Sequence, residues 1–553
     1  MNPSQLLAHF DRISDAPDAI LRLRQFILCL AVRGQLIRQC PNDEPAPEFL
    51  KRIKLKGADN EPFLIPPSWS WISVGQIGES RLGKMLDKAK NKGTLRRYLR
   101  NVNVRWFGFD LSDVFEMRFE DDELEEFSLR KGDVLICEGG EPGRAAVWDE
   151  REEKIYFQKA IHRVRFPEGV NSHFFLSALR ESADSRRLAG YFTGVAIKHF
   201  TGKGLSSFIF PLPPLAEQHR IVAKVAELMA LCDELEVART RRETRRDQLT
   251  AASWHSLSNG ANSASVREHA RFCFSHFPHL TKRPAHIHQL RQTLLNLAVR
   301  GRLVPQDATD EPAAQLLTRI RMAQLQPGKK AKSKIKPALP PLDSQPEPFE
   351  LPSGWTWARF PELGQFGRGK SKHRPRNDSS LFEGGSHLLV QTGDVARSNG
   401  LIKTFTNKYN DVGLAQSAKW PKGTLCITIA ANIADSGILT FDACFPDSVV
   451  GFIPAPVFPN ARYFEYFIRT AKADLLEFAP ATAQKNINLE ILNAVLIPLP
   501  PLGEQQRIVT RVDELMDLCD RLEKELIEAD AKSSLLLEAV LHHALNTGLQ
   551  LTG

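Results

Sequence analysis

The sequence predicts a mixed α+β fold: a pseudo-twofold tandem duplication of two α/β bodies joined by long, antiparallel coiled-coil helices. Three observations lead there. The run "PLPPLAEQHRIVAKVAELMALCDELE", Pro211 to Glu236, returns 287 residues on as "PLPPLGEQQRIVTRVDELMDLCDRLE", Pro498 to Glu523, identical at 19 of 26 positions. Ahead of each copy stand "LRQFILCLAVRGQL" (Leu23 to Leu36) and "LRQTLLNLAVRGRL" (Leu290 to Leu303), then "DEPAPEFLKRI" and "DEPAAQLLTRI", then "PPSWSW" and "LPSGWTW". Between the Trp-x-Trp strings and the long helices lie stretches that differ from each other. Solenoid repeats are an order of magnitude shorter, so this is a pseudo-dimer and not an array.

Taken in order, residues 1–60 read as scaffold helices and 61–210 as a first body, with short β-type runs such as "GDVLIC" and "AIHRVRF" and a helix at "HFFLSALRESA". Residues 211–258 are a long helix, opened by Pro214 at a first helical position with Glu217 near the positive dipole end. A His-rich linker is expected over 259–285 and a second pair of scaffold helices over 286–325. Residues 326–350, rich in Pro and Lys, form a second, extended linker. The second body, 351–497, carries "HLLVQTGDV" and "GTLCITIA" as strands and "ARYFEYFIRTAKADLL" as a helix, and 498–548 is the closing long helix. In the long helices Ile221, Val225, Leu228, Cys232 and Leu235, and Ile508, Val512, Leu515, Cys519 and Leu522, keep a 4-3-4-3 spacing. Such a stripe suits a coiled-coil seam. A single copy would more simply pack on its own domain; two matching copies favour packing on each other, antiparallel, as a spacer of fixed length.

Composition bounds the rest. A chain of 553 residues must divide into several domains, and 42% hydrophobic with 25% charged residues is ordinary for a soluble protein. The net charge of +8 leans towards a polyanionic partner without requiring a patch. Eight scattered cysteines without a CxxC pair suit free thiols in a reducing cytosol, so a cytoplasmic location is expected. "FILCLAV" is too short for a membrane span and reads as a helix face.

Catalytic signals are few. "GQFGRGKS", Gly364 to Ser371, fits the phosphate-loop pattern, but "KHRPRNDSS" puts Pro375 and turn residues where the helix should run, and "WARFPELG" is a poor preceding strand. A solvated basic loop is the better reading. His269, Cys273, His276 and His279 match no common zinc spacing, so no metal site and no cofactor is assigned. No dinucleotide fingerprint, GxSxG or HExxH occurs.

Basic and amide side chains do gather early in each body. "RRYLRNVNVRWFGF" offers Arg96, Arg97, Arg100, Asn101, Asn103 and Arg105, and "GRGKSKHRPRND" offers Lys370, Lys372, Arg374 and Arg376. Lys198, Gln391, Lys485 and Asn486 complete the candidate DNA-binding set. Arg and Lys neutralise phosphate, whereas Arg on guanine and Asn or Gln on adenine read sequence. Each cluster alone would equally suit a solvated loop; similar placement in both bodies favours DNA. "RTRRETRR" on the first long helix has no counterpart in the second, "KELIEADA", and belongs to no shared function.

The repeated PLPPL-x-EQ-x-RIV helices, the paired "LAVRG" helices and the Trp-x-Trp strings together resemble the specificity subunit of Type I restriction-modification systems, over nearly the whole chain. That resemblance implies a noncatalytic subunit whose bodies are target recognition domains, each reading half of a split, asymmetric sequence in double-stranded DNA. It implies two methyltransferase subunits docked on the repeated helices, and restriction subunits joining through them, with S-adenosylmethionine, ATP and Mg²⁺ chemistry left to those partners. Two rival readings are a DNA-dependent NTPase using "GQFGRGKS" and a coiled-coil assembly scaffold without sequence specificity.

Overall fold

The computed structural model describes residues 15–87, 91–149, 154–259, 263–325, 347–373, 375–430, 432–477, 487 and 489–546. The chain forms two compact units, residues 1–243 with 528–553, and residues 244–527. The two long helices, Leu215–Asn259 and Leu502–Asn546, each begin in one unit and end in the other, so each unit holds parts of both.

In the first unit, helices Ala19–Val32 and Ala46–Arg52 lead to strand Ser70–Ser73, which pairs antiparallel with Ile209–Leu212 just before the long helix. The body between them is thereby closed at its neck. Its central sheet runs Glu79–Leu82, Ile161–Arg165, Val134–Cys137, Ala145–Val147, all antiparallel neighbours. Val134 to Cys137 are all buried, as a central strand covered on both faces should be. A smaller sheet joins Thr94–Leu99 antiparallel to Phe115–Phe119 and parallel to Tyr156–Phe157. Helix Ser172–Asp184, capped by the Asn171 carboxamide, buries Phe175, Leu176 and Leu179 against the central sheet.

The second unit repeats this frame. Strand Thr356–Ala358 pairs with Ile497–Leu499, and the central sheet runs Gly364–Arg368, Val449–Pro454, Leu425–Thr428, Ser436–Leu439 in the same order. It then gains a fifth strand, Gly400–Ile402, parallel to Ser436–Leu439. Helix Arg462–Glu477 covers this sheet with Phe464 and Ile468. Both bodies are mixed sheets with helices, as expected.

Three expectations need correction. The segment 259–285 is no linker: Ser263–Ser275 and Phe277–Leu280 are helices, fixed because Cys273 and Leu280 bury themselves and Thr250 donates to the Leu280 carbonyl at 3.0 Å. "VQTGDV" is not strand beyond Leu389; Thr392–Ala396 turns into a short helix because the Asp394 carboxylate accepts from the Gln391 N–H. Of the second linker, 326–346 lies outside the described residues.

The seam is the third correction. Ile221, Val225 and Cys232, with Leu228 beside them, pack under Ile27, Leu28, Leu30, Ala31, Trp69 and Phe174 of their own half. Ile508 and Val512 likewise pack with Leu295, Ala298, Val299 and Trp355. Cys519 is buried, Leu515 and Leu522 are half-buried, and Leu235 is 52% exposed. The simpler reading prevails because the first turn of each long helix is drawn inward. Trp69 Nε1 donates to Glu217 at 3.0 Å and Trp355 Nε1 to Glu504 at 2.9 Å, which turns the stripe onto the scaffold helix. Antiparallel neighbours do occur inside the first unit. Asp530 lies near Arg239, Leu537 and Val540 bury Ala16 and Ala19, and Leu545 returns to the Ile221–Cys232 cluster.

Candidate nucleic-acid interface

In the first body the candidate residues lie on strand Thr94–Leu99 and the 3-10 turn Asn101–Asn103 that follows it. Arg97 is exposed and Arg96 half-buried. The Arg100 guanidinium sits 3.6 Å from the centre of the Phe115 ring and donates to the Asp113 carboxylate at 2.7 Å, so it is already partnered. Asn103 leaves the candidate set. It is 2% exposed; its Oδ1 accepts from the Arg100 N–H at 2.9 Å, and its Nδ2 donates to the carbonyls of Asp110 and Asp113 at 3.0 and 2.9 Å. A buried amide with its capacity used on the loop has none left for a base edge.

The structure joins Asn101 to a loop the sequence had not connected with it. Asn101 Nδ2 donates to the Gly139 carbonyl at 3.3 Å, and its own carbonyl accepts from Arg144 Nη2 at 2.8 Å. Gly140, at φ +81, lies so close that a Cβ there would stand 2.8 Å from Asn101 Nδ2. Beside the same loop lies His199, next to Lys198, and a Cβ at Gly139 would stand 3.3 Å from His199 Nδ1. Arg105 is exposed, 3.4 Å from Asp110. Hydrogen bonds from Ser112, and after them the Arg105 guanidinium, hold the Asp110 carboxyl below the usual range. Arg144, His199 and the "EGGEPGR" loop were missed; the double glycine one residue after the apolar "VLIC" was the signal available.

Two groups nearby are chemically quiet. Burial pushes the Cys137 thiol up to about 11, and burial lowers the His162 pKa while its Nε2 lies 2.9 Å from the Phe200 carbonyl. A protonated thiol and a neutral buried imidazole are structural here.

In the second body Lys370 and Lys372 are exposed on the segment after strand Gly364–Arg368. Their backbone is pinned: the Ser417 hydroxyl donates to the Lys370 carbonyl at 2.9 Å and the Lys372 N–H donates to Gln416 Oε1 at 2.7 Å. Arg376 Nη2 donates to Asp447 at 2.6 Å, and Arg368 Nε to the Asp447 carbonyl at 2.8 Å, which gathers these cations about one turn. Gln391 is exposed at the start of the Thr392–Ala396 helix. Arg374, Lys485 and Asn486 lie outside the described residues.

The phosphate-loop string takes no phosphate-loop geometry. Gly364–Arg368 is itself a strand, paired to Val449–Pro454, and the N–H groups of Gly369 and Lys370 already donate to the carbonyls of Val449 and Phe445. No helix begins at Lys370, so the amide cradle a phosphate needs is not formed. Among the described residues no group of three or more His, Cys, Asp or Glu is placed to hold a metal ion, and no helix is long and apolar enough to cross a membrane.

Comparison with known proteins follows the duplication. The family model described as Type I restriction modification DNA specificity domain matches twice, over residues 66–242 and 352–529. The Type I restriction enzyme EcoAI specificity subunit of Escherichia coli is 27% identical over 573 aligned residues, covering 95% of this chain and 94% of that protein. The EcoEI specificity subunit of Escherichia coli is 26% identical over 579, with the same coverage. A solved chain reported under "Structural basis underlying complex assembly and conformational transition of the type I R-M system" shares the fold, with a TM-score of 0.51 at 18% identity over 87% of this chain and 99% of its own.

Proposed function

The chain belongs to the Type I restriction modification DNA specificity family, as a noncatalytic DNA-recognition subunit, and from that premise we propose that it reads a bipartite, asymmetric target. Each body, 61–210 and 351–497, reads one half-site. The scaffold helices and the first turns of the long helices dock two methyltransferase subunits, through which restriction subunits join. Methyl transfer, ATP use and cleavage belong to those partners.

One observation carries this reading. The same scaffold interactions recur in both units around bodies whose basic segments differ: Arg97, Asn101 and Arg105 in one, Lys370, Lys372 and Arg376 in the other. A scaffold kept twice fits two copies of one partner, and dissimilar bodies fit dissimilar half-sites. The test exchanges the body between the necks, residues 74–208, for that of another family member and maps methylated sites in the assembled complex. The first half-site is expected to change and the second to stay. A change in both halves at once would sink the assignment of one body to one half-site.

A further inference from the structure

In the first body, Thr193 and His199 exchange backbone hydrogen bonds of 2.9 Å in each direction, closing a tight loop over Gly194 to Lys198. Gly194 sits at φ +93, and a Cβ there would stand 2.1 Å from the Ile197 carbonyl oxygen, so the turn depends on glycine. The base of the loop is fixed. Phe200 is fully buried against Phe192 and Phe208, its N–H donates to the Glu138 carbonyl at 2.8 Å, and Thr201 caps the next helix. The tip touches nothing comparable: Val195 is 98% exposed and Ile197 69% exposed, with Lys198 exposed beside them. A rigid base that holds two β-branched side chains out in water is a poor design for a solvated loop, where polar residues serve better.

The corresponding stretch of the second half can be compared in sequence. At the 287-residue offset, Lys485 stands for Lys198, Asn486 for His199 and Ile487 for Phe200, while Thr482 and Gln484 replace Val195 and Ile197. Ile487 is buried, and its N–H donates to the Ile429 carbonyl at 3.0 Å. Ile429 directly follows the central strand Leu425–Thr428, just as Glu138 directly follows Val134–Cys137. In sequence the buried anchor and the lysine recur, while Pro480 and Ala481 stand for Thr193 and Gly194 and the apolar pair is replaced, so the turn itself belongs to the first body. That is the division expected of a backbone contact and a sequence-reading contact.

We propose that the 193–199 loop enters the major groove of the first half-site, where Val195 and Ile197 meet a thymine methyl group and Lys198 meets a phosphate. This rests on the reading that the first body reads a half-site. The major groove, about 12 Å wide, admits a two-stranded β-ribbon and displays the thymine C5-methyl, while the minor groove, about 6 Å wide, offers no such apolar feature. The Gly139 loop, to which Asn101 Nδ2 donates, lies beside His199 at the base of this loop.

The experiment uses the full chain assembled with its methyltransferase subunits and a random-sequence duplex pool. The wild type is compared with a Val195→Ser, Ile197→Ser double variant and with Lys198→Ala. The serine variant is expected to lose about tenfold discrimination at one or two A·T positions of the first half-site, of the order of a single mismatch, with the second half-site unchanged. Lys198→Ala is expected to weaken binding to all sequences alike and to lower the slope of log K against log salt by about 0.9. Because both tip residues stand in solvent, the thermal midpoint should not move; a drop of several degrees would overturn the claim that the tip is unpartnered. Unaltered preference in both half-sites overturns the inference and leaves the bipartite reading standing. Loss of methyltransferase co-elution with preference intact overturns it in favour of a protein contact. A wild type without any half-site preference would instead sink the underlying reading.

Discussion

In the first half of the chain Trp69 reaches Glu217 at 3.0 Å, Arg220 reaches Asp43 at 2.6 Å and Arg24 reaches Asp233 at 2.7 Å. In the second half Trp355 reaches Glu504 at 2.9 Å, Arg507 reaches Asp310 at 2.7 Å and Arg291 reaches Asp520 at 2.6 Å. The bodies held by these two frames keep one four-strand order and then diverge, with Gly400–Ile402 added to the second and different basic segments on each. Geometry is thus repeated where each long helix meets its scaffold and relaxed where side chains face solvent. A part that must fit the same partner twice is constrained in this way, and a part that must fit two different surfaces is not.

The scaffold predictions should therefore come in matched pairs. The largest effect is expected at Gly34 and Gly301, which lie at φ +68 and +65 and against which a Cβ would stand 2.5 Å from Pro66 and 2.6 Å from Pro352. Alanine must bear a left-handed conformation, about 1–2 kcal/mol, together with overpacking of about 1–3 kcal/mol. Gly34→Ala and Gly301→Ala are each expected to destabilise by about 2–5 kcal/mol in denaturant titration. If only one of them were costly, the two frames would not be equivalent.

The next pair probes the buried carboxyls. Trp69→Phe and Trp355→Phe remove the indole donors and leave an oxygen of Glu217 or Glu504 unpaired, a loss of about 1–3 kcal/mol. Burial raises the pKa of both glutamates above the usual value, against the opposing hydrogen bonds from Trp69 and Gln39 in one and from Trp355 in the other. A carboxyl raised in the folded state contributes stability that is fully present below its unfolded pKa and is lost as pH rises through the folded value. Relative to wild type, Glu217→Gln and Glu504→Gln should each remove part of that loss, seen as a thermal midpoint that falls less as pH rises above the ordinary glutamate range. Parallel curves for wild type and variant would show that these carboxyls do not titrate differently on folding.

Much of this frame was legible in the sequence because repetition is visible without knowing any contact. The paired Trp and Glu, the two "LAVRG" helices and the strands at "VLIC" and "LCIT" stand where the pattern puts them. The seam was misread because a 4-3-4-3 stripe records which side of a helix is buried and not what buries it; the indole bond to Glu217 decides that. The helix at 263–275 was masked by histidines that suggested a linker, although Cys273 is buried. In the first body, basic residues were found by composition, but their partners could not be. Asn103 differs from Asn101 only in where the turn points it.

That last distinction gives the finest test of the two bodies. Asn103→Ala removes an acceptor for the Arg100 N–H and two donors to carbonyls, all within the loop. It should lower stability by about 1–3 kcal/mol and leave base preference intact once folding is restored at lower temperature. Lys372→Ala in the second body should do the reverse. Its side chain is exposed and its backbone N–H, bonded to Gln416, survives the substitution, so the fold is kept. Removing one phosphate contact should reduce the salt slope by about 0.9 and leave base preference unchanged. Equilibrium binding of the assembled complex at several salt concentrations measures both. A relaxed base preference in Asn103→Ala would return that residue to the reading surface, and an unchanged slope in Lys372→Ala would take the lysine off it.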